Sequence, residues 1–328
     1  MHKKILIYNS GGGLGDAIQL FPLILTLQNH FKSADFYYQD SLGAKYFSDK
    51  LKDYNIKIEN LNLDLMHFGF RWWHLFKAKD NFLKKGLNLD KFDLIIDIQS
   101  KIRNTLILKR IPTKHFYSST FNYFFCSFKK NYSNYENVNQ RTISNLEKFY
   151  ETKIEKINYN LNLIDEKYIN EAIKLLPEKN YIGFSLTHGN PLRKKHWPID
   201  KFVELAEKIK NKGKKPVFFV EKKNHEIVSK IKSEIPNAFF PEHDSPLASP
   251  TLITALTSRL EKAVTIDNGI MHMMSLAQIP MIILFGPTKP EKFAPDQENI
   301  NIIDSKKIYN SDDISKITVE DVFQHINQ

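Results

Sequence analysis

The chain has 328 residues, of which 42% are hydrophobic, enough for two globular domains with separate cores. Its formal charge of +10 would suit nucleic acid, but the lysines are spread along a chain rich in Asn and Ile. Aromatic RNP motifs and paired metal-binding Cys and His are lacking, so we expect no nucleic-acid partner. Cys126 is the only cysteine, which excludes an intrachain disulfide and predicts a reducing compartment, the cytoplasm. No stretch has the ~18 apolar residues of a membrane span, and the N-terminus lacks a signal-peptide core, so any membrane contact should be peripheral.

The first part of the chain alternates between strand and helix patterns. Residues 4–8 form a short apolar run that leads through NSGGGLGD into a helical pattern. Further strands are predicted at 34–39, 55–60 and 92–98, with helical segments between them, such as 72–85. This alternation predicts a parallel sheet covered on both faces. Residues 118–140 are aromatic, polar and weakly periodic, a pattern that predicts a stretch including irregular loop.

A second α/β series predicts a second domain. Its strands are expected at 181–186, 216–220, 237–240, 263–266 and 280–285. The clearest helix begins at Pro198 and stops at Gly213. We therefore predict two Rossmann-like domains with parallel sheets facing across a cleft, residues 1–165 and 166–328. The final segment, 315–328, reads as a helix that could pack back on the N-terminal domain.

The stretch TIDNGIMHMMSLAQIPMIILFGPTKP, residues 265–290, predicts a strand end, a glycine turn, a short helix, a buried strand and another glycine turn. In open parallel sheets, ligands bind beyond the carboxyl ends of strands, where helix N-termini carry partial positive charge. The turns at Gly269 and Gly286, with Thr288 beside the second, therefore predict an anion site. The alternative is two ordinary turn glycines with Asp267 as a helix N-cap, although two such turns in succession favour the anion site.

The glycine-rich turn after the first strand does not fit a dinucleotide site. The pattern G-x-G-x-x-G fails in both frames, because its third glycine position falls on Asp16 or on Ile18. An NAD-dependent enzyme with Asp40 on the ribose is therefore not expected. The turn instead delivers the Asp16 carboxylate to the top of the first strand, where it can also be the N-cap of a helix from Ala17.

Four stretches in order resemble glycosyltransferase family 9, the heptosyltransferase family of the GT-B fold. They are GGLGDAIQLFPLILTL (12–27), FDLIIDIQSKIRNT (92–105), KKHWPIDKFVELAEKI (194–209) and IDNGIMHMMSLAQIPMIILFGPTKP (266–290). The resemblance implies an α/β GT-B fold and sugar transfer from a nucleotide-diphosphate sugar, typically ADP-L-glycero-D-manno-heptose, to the lipid A-linked inner core of lipopolysaccharide. It also implies inversion at the anomeric carbon, no metal and no cofactor, and work at the cytoplasmic face of the inner membrane.

The resemblance also implies roles for individual residues. Asp16 matches the catalytic aspartate, which would act as the base on the acceptor hydroxyl. Lys195 matches the lysine that contacts the departing diphosphate, and Asp267 matches the acid that holds sugar or ribose hydroxyls. The donor residues implied by the resemblance are Thr187, Asp267, Asn268, Gly269, Met271, His272, Gly286 and Thr288. The implied acceptor residues are Gly13, Gly15, Gln99 and Arg103, although surface salt bridges would also explain Arg103, and Met271 also suits a core position.

Two departures from the family pattern leave alternatives open. Asn268 stands where the family has Ser or Thr, and EKKNHE at 221–226 replaces a frequent glycine pair. The second departure bears on adenine specificity, so another nucleotide sugar or an inactive nucleotide-sugar-binding module remains an alternative. The aromatic and basic segment at 67–85 could rest on an anionic membrane, or it could form an amphipathic helix that packs its tryptophans on the sheet.

Overall fold

The chain forms two compact α/β units. The computed structural model describes residues 3–9, 13–40, 45–65, 71–85, 91–186 and 195–326. Unit 1 covers Met1–Tyr159 and unit 2 covers Asn160–Gln328, so the division falls six residues before the boundary placed at 165. Within the described residues, each unit holds one five-stranded parallel sheet, which confirms the α/β class.

Unit 1 has the strand order β3-β2-β1-β4-β5, with neighbouring strands parallel. The strands are β1 (Lys3–Asn9), β2 (Ala34–Asp40), β3 (Glu59–Asn60), β4 (Phe92–Asp97) and β5 (Thr113–Ser118). The helices are α1 (Leu14–Ile18), α2 (Phe21–His30), α3 (His74–Lys84), α4 (Ile102–Leu108), α5 (Thr120–Tyr123) and α6 (Val138–Tyr150). Helices α2 and α6 contact each other, and α4 contacts both α3 and α5.

Unit 2 repeats the arrangement with the strand order β10-β9-β8-β6-β7. The strands are β6 (Tyr181–Ser185), β7 (Lys215–Phe219), β8 (Leu260–Ile266), β9 (Met281–Phe285) and β10 (Ile300–Asp304). The helices are α7 (Glu166–Leu175), α8 (Ile199–Lys210), α9 (His225–Glu234), α10 (Pro241–Asp244), α11 (Pro250–Thr257), α12 (Gly269–Ser275), α13 (Pro290–Phe293), α14 (Ser305–Tyr309) and α15 (Val319–Phe323).

Several predicted elements differ from the structure. The strand predicted at 55–60 is reduced to β3, and 237–240 forms only a bridge from Phe239 to Val217. The edge strands β5 and β10 were missed, because each begins with exposed or half-buried residues and so lacks a clear apolar run. Residues 118–140 do include irregular loop, at 124–137, between α5 and α6. Asn137 caps α6 by accepting from the amides of Asn139 and Gln140.

The last helix, α15, packs against α8 of unit 2. Val322 of α15 is fully buried in the same core cluster as Phe202 of α8. Gly213, just beyond α8, has φ of +75°, a left-handed conformation that suits glycine and stops the helix. No helix within the described ranges combines the length and apolarity needed to cross a membrane.

The stretch 265–290 follows the predicted order of strand end, short helix, buried strand and turn. It comprises the end of β8, then α12, then β9 and the turn after it. Strands β8 and β9 are hydrogen-bonded neighbours, in register from Ala263 with Met281 to Ile266 with Leu284. Their two following turns therefore lie side by side at the carboxyl edge of the unit 2 sheet, which is the geometry that the anion-site prediction required.

Candidate active site

A buried ion pair lies at the carboxyl edge of the unit 2 sheet. Nζ of Lys195 lies 2.5 Å from Oδ2 of Asp267, and the two side chains are 9% and 8% exposed. The hydroxyl of Thr288 donates to the same Oδ2 at 2.6 Å. The turns after β8 and β9 thus place Asp267 and Thr288 together, and Asp267 holds the ammonium that precedes α8. A buried ion pair of this kind keeps its geometry because neither charge is hydrated by bulk water.

Lys195 is fixed by its own segment as well as by Asp267. Two residues later, Trp197 is 1% exposed, packs edge-on against Phe202, and donates from Nε1 to the carbonyl oxygen of Ile317 at 2.9 Å. The Lys195 ammonium also lies 5.7 Å from the ring centroid of Phe293. The segment is therefore anchored by Trp197, and the lysine head is held by Asp267 at the carboxyl edge of the sheet.

Asn268, not Asp267, caps helix α12. Its Oδ1 accepts from the amide of Met271 at 2.8 Å, and its Nδ2 donates to Oγ of Ser185 at 2.8 Å. The reading of Asp267 as an N-cap is therefore wrong, because an amide side chain one residue later takes that role. Because Asn268 caps the helix, the Asp267 carboxylate accepts from Lys195 and Thr288 instead. Ser185 was not predicted as a site residue, although its position at the carboxyl end of β6 is the feature that could have indicated it.

The remaining predicted donor residues lie around this turn. Gly269 begins α12, and Met271 and His272 are buried within it. Gly286 follows β9, where an added Cβ would come within 2.8 Å of Cβ of Ile314 and 2.9 Å of the carbonyl oxygen of Asp312. Gly286 therefore allows close packing of the 312–314 segment, a requirement separate from the predicted approach to phosphate. Thr187, with Arg193 and Lys194, lies outside the described residues.

Asp16 lies in the first turn of α1, directly after β1. Helix α1 is capped by Gly13, so Asp16 is its third residue and not the N-cap of a helix from Ala17. Its Oδ2 accepts from the amide of Gly13 at 2.9 Å. A carboxylate at this position reaches back to the amide at the helix start and is stabilised by the helix dipole. Gly15 lies inside the same turn, and its carbonyl accepts from the amide of Gln19.

Gln99 is joined to the Asp16 segment through Asn9. Nε2 of Gln99 donates to Oδ1 of Asn9 at 2.5 Å, and Nδ2 of Asn9 donates to the hydroxyl of Tyr38 at 3.2 Å and to the carbonyl of Asp16 at 3.4 Å. Burial raises the pKa of Tyr38, which keeps it neutral as an acceptor here. Asn9 was missed in the sequence, and its place at the end of β1 is the signal.

The fully buried Asp97 holds the turn that carries Gln99. It accepts from the Gln99 amide at 3.1 Å, from Thr105 at 2.6 Å and from Ser118 at 2.8 Å. Burial raises the pKa of Asp97, and these three donors act in the opposite direction. The ends of β4 and β5 and the start of α4 are thereby tied together. Arg103 lies on α4, and its buried Nε has no hydrogen-bond partner among the described residues.

A second carboxyl of interest lies beyond β7. Glu242 on α10 is 6% exposed, and its Oε2 has no hydrogen-bond partner among the described residues. Burial, together with the charge of Glu221, raises the pKa of Glu242 to about 7, while Lys222 and the amide of Val220 oppose the rise. Glu221 and Lys222 belong to the departure at 221–226. Within the described ranges, no cluster of three or more His, Cys, Asp or Glu could hold a metal ion.

Two Rossmann-like units, each with polar side chains collected at the carboxyl edge of its parallel sheet, define a GT-B protein. The sequence profile of Glycosyltransferase family 9 (heptosyltransferase) matches residues 82–323, and the chain belongs to this family. The predicted family and fold class are thereby confirmed.

Related proteins and solved structures agree with this assignment. Lipopolysaccharide heptosyltransferase 2 of Salmonella typhimurium is 29% identical over 112 residues, which cover 33% of this chain and 32% of that protein. The match therefore spans only about a third of the length of this curated relative. The structure of the glycosyl transferase family 9 protein of Veillonella parvula superposes with a TM-score of 0.71 at 18% identity, covering 99% of this chain and 96% of that one. The Escherichia coli heptosyltransferase WaaC with ADP gives a TM-score of 0.69 at 16% identity, covering 99% of each chain.

Proposed function

We propose that this protein is an inverting, metal-independent glycosyltransferase that moves a sugar, in the simplest case heptose from ADP-heptose, onto the inner core of lipopolysaccharide. The observation that carries the proposal is the buried cluster of Lys195, Asp267 and Thr288 in a chain of glycosyltransferase family 9. A relative that is a lipopolysaccharide heptosyltransferase and a similar fold solved with ADP support this choice of donor and acceptor.

On the donor side, the departing nucleotide diphosphate gains negative charge as the bond to the sugar breaks. An ammonium has three N–H donors, so Lys195 can hold Asp267 and still donate to diphosphate oxygens. Because the lysine is buried, its attraction for phosphate is weakened less by water than it would be at the surface. Asp267 keeps the ammonium in position before the donor arrives, which avoids reorganisation during the reaction.

On the acceptor side, Asp16 would act as the general base. Its Oδ2 accepts from the Gly13 amide, which leaves Oδ1 for the proton of the acceptor hydroxyl. The hydroxyl oxygen forms a bond to the anomeric carbon on the face opposite the diphosphate. The bond from that carbon to the diphosphate oxygen breaks, and its electron pair leaves with the nucleotide. Inversion at the anomeric carbon follows from this single displacement.

The residues at 221–226 support a second candidate function: transfer from a different nucleotide sugar, or binding of a nucleotide sugar without transfer. Lys222 donates to the carbonyl of Ser245 at 2.6 Å, and Glu221 pairs with Lys223 at 2.6 Å. These contacts give the loop after β7 a charged character in place of the glycine pair common in the family. The base of the nucleotide is the group that such a change would affect, since it lies farthest from the reacting carbon.

On this proposal the acceptor is a lipid A-linked oligosaccharide, and the reaction takes place in the cytoplasm at the inner membrane face. The buried thiol of Cys126 fits a reducing compartment. The donor is a substrate, and no resident cofactor is required.

The test is calorimetric titration of the purified protein with ADP, UDP, GDP and NAD, first without metal and then with Mg²⁺. Selective binding of ADP without metal, followed by transfer from ADP-heptose to a heptose-free lipopolysaccharide core, is the expected result. Preference for UDP or GDP would retain the mechanism and reject the heptose donor. No binding of any nucleotide would reject the proposal in favour of a protein without transfer activity.

A further inference from the structure

Among the described residues of unit 1, five aromatic side chains are more than half exposed, and they lie in two chain segments. At the start of α3, Trp72 and Trp73 are each 54% exposed and Phe76 is 79% exposed. After β5, Phe121 and Phe124 are 69% and 65% exposed. Single exposed apolar side chains are common on soluble proteins, but several large aromatics on one face mark an interaction surface. We call these five residues the aromatic surface.

The two segments lie on the same face of the unit 1 sheet. Leu75 of α3 and Phe125, beside α5, both pack on one core cluster, and α3 and α5 both contact α4. The Phe125 ring lies 6.3 Å from that of Phe121 and 5.2 Å from that of Phe124. Leu75 and Phe125 are partly buried and form the base of a face whose outer layer is the aromatic surface.

The packing of α3 leaves its tryptophans outside. The helix buries His74, Ala78 and Phe82 against the sheet, and Trp73 makes an edge contact with His74 at 5.7 Å between ring centroids. The sequence alternative in which an amphipathic helix packs the tryptophans on the sheet is therefore wrong: the helix is amphipathic, but the tryptophans lie at its solvent side.

The path of the chain places the aromatic surface toward the sheet edge that carries Asp16. Helix α3 ends at Lys84 and β4 begins at Phe92, a short connection that makes the helix antiparallel to the strand. The start of α3 therefore lies toward the carboxyl ends of the parallel strands. Residues 119–128 leave β5 at that edge, and α1 with Asp16 follows β1 there.

Basic side chains surround the aromatic ones. Arg71, Lys77, Lys79 and Lys84 are exposed, and Asp80 is the only acidic residue between 71 and 85. Lys129, which is also exposed, lies with its ammonium 4.9 Å from the ring centroid of Phe124. Tryptophan and phenylalanine insert at the boundary of headgroups and acyl chains, while lysine and arginine attract anionic headgroups.

We propose that the aromatic surface docks this protein on an anionic lipid bilayer. The mixture of exposed rings and basic side chains fits that partner in both its apolar and its charged parts. A second copy of the chain fits less well, because it would bring the same lysines against these lysines. The inference stands without the proposed reaction, although docking there would bring a lipid-linked acceptor beside Asp16.

Tryptophan emission gives a direct test, because Trp197 is 1% exposed and the other two tryptophans belong to the aromatic surface. The full-length protein is mixed with vesicles of phosphatidylcholine containing phosphatidylglycerol, and with vesicles of phosphatidylcholine alone. We expect a blue shift of emission and cosedimentation with the anionic vesicles, and binding weaker by about tenfold or more to the neutral ones. Acyl chains brominated near the headgroup should quench the emission.

Two variants with matched controls identify the surface. Phe76→Ser/Phe121→Ser/Phe124→Ser keeps both reporter tryptophans and should reduce vesicle binding about tenfold or more. Ile302→Ser/Ile308→Ser removes exposed apolar side chains of unit 2, 43% and 51% exposed, and should bind as the wild type does. Lys77→Glu/Lys79→Glu should weaken binding, whereas Lys210→Glu/Lys212→Glu, on exposed lysines of unit 2, should weaken it less.

Two kinds of result would overturn the assignment of this surface to a membrane. Vesicle binding that is absent, or equal in the phenylalanine triple variant and its isoleucine control, excludes this surface as the membrane contact. A change of oligomeric state in the triple variant, measured by analytical ultracentrifugation without vesicles, would assign the surface to a second copy of the chain. ADP titration of each variant separates this outcome from failure of the proposed function, because the nucleotide site lies in unit 2.

Discussion

Lys195 and Asp267 are separated by 72 positions in the chain, yet their charged atoms lie 2.5 Å apart in the interior of unit 2. The pair joins the segment before α8 to the turn after β8. Two opposite charges with this little exposure stabilise each other only as a pair, since each has lost most of its hydration. Substitution of either residue should therefore affect folding as well as donor binding.

Lys195→Met should lower the free energy of unfolding by about 3–5 kcal/mol, because it leaves Asp267 buried without its counter-charge. Nucleotide affinity should fall as well, since the cation that meets the diphosphate is removed. Urea denaturation and calorimetric titration measure the two effects. The double variant Lys195→Met/Asp267→Asn is the control: it should recover much of the stability and none of the nucleotide affinity. A single variant as stable as the wild type would contradict the role given to the pair.

Asp16→Asn should lower kcat by about 10²–10⁴-fold and leave the Kd for ADP unchanged. The amide oxygen can still accept from the Gly13 amide, so the start of α1 is kept while the base is lost. Asp16→Ala should behave in the same way, with a small additional loss of stability. Single-turnover transfer and ADP titration give the two readouts. Transfer at the wild-type rate, or loss of ADP binding, would show that Asp16 is not the base.

The sequence was most informative where an apolar strand ran directly into a turn with glycine or a carboxylate. Stretch 265–290 was assigned in the right order because β9 is apolar throughout and α12 is short and buried. The resemblance implied separate roles for Lys195 and Asp267, and their pairing was not predicted, because no local pattern connects positions so far apart. Edge strands such as β10 were missed because one side of them is exposed and they need fewer apolar residues.

The hydrogen bonds between side chains could not be predicted from the sequence either, because they also join distant positions. Asn9 contacts Gln99 and Ser185 contacts Asn268, and both hydrogen bonds join residues that are far apart in the chain. Capping was also misassigned at two helices, since Asp and Asn are about equally good N-caps and neighbouring positions compete for the role. At α1 the cap is Gly13, which has no side chain to signal it.

Gly286→Ala should lower the free energy of unfolding by about 1–3 kcal/mol. The added methyl group would lie 2.8 Å from Cβ of Ile314 and 2.9 Å from the carbonyl oxygen of Asp312, and backbone atoms cannot swing aside as a flexible side chain can. Gly213→Ala is the control, since its added Cβ would have nothing within 4 Å and only the positive φ of +75° opposes it. Thermal and urea unfolding should show the larger loss at Gly286; equal or reversed losses would contradict the packing argument.

Arg103→Ala should raise the KM for the acceptor about tenfold while leaving ADP affinity unchanged. Arg103 is half-buried in the first turn of α4, after the carboxyl end of β4, and the N–H groups of its guanidinium can donate to an anionic group of the acceptor. Arg103→Lys keeps the charge but loses the planar fork, and it should recover only part of the affinity. An unchanged acceptor KM in both variants would place the acceptor elsewhere.

Glu242 should make the stability of the protein depend on pH between about 4.5 and 7. Burial raises its pKa from the usual 4.5 to about 7, so the folded protein binds this proton more tightly than the unfolded chain does. The stabilisation is complete below the unfolded value and is lost as the pH rises through the folded one. A shift of this size corresponds to about 3 kcal/mol. Glu242→Gln cannot titrate at this position. The free energy of unfolding of the wild type minus that of the variant should therefore be larger at pH 4.5 than at pH 8. Urea denaturation of both proteins across this range measures that difference, and a constant value would show that Glu242 carries no raised pKa.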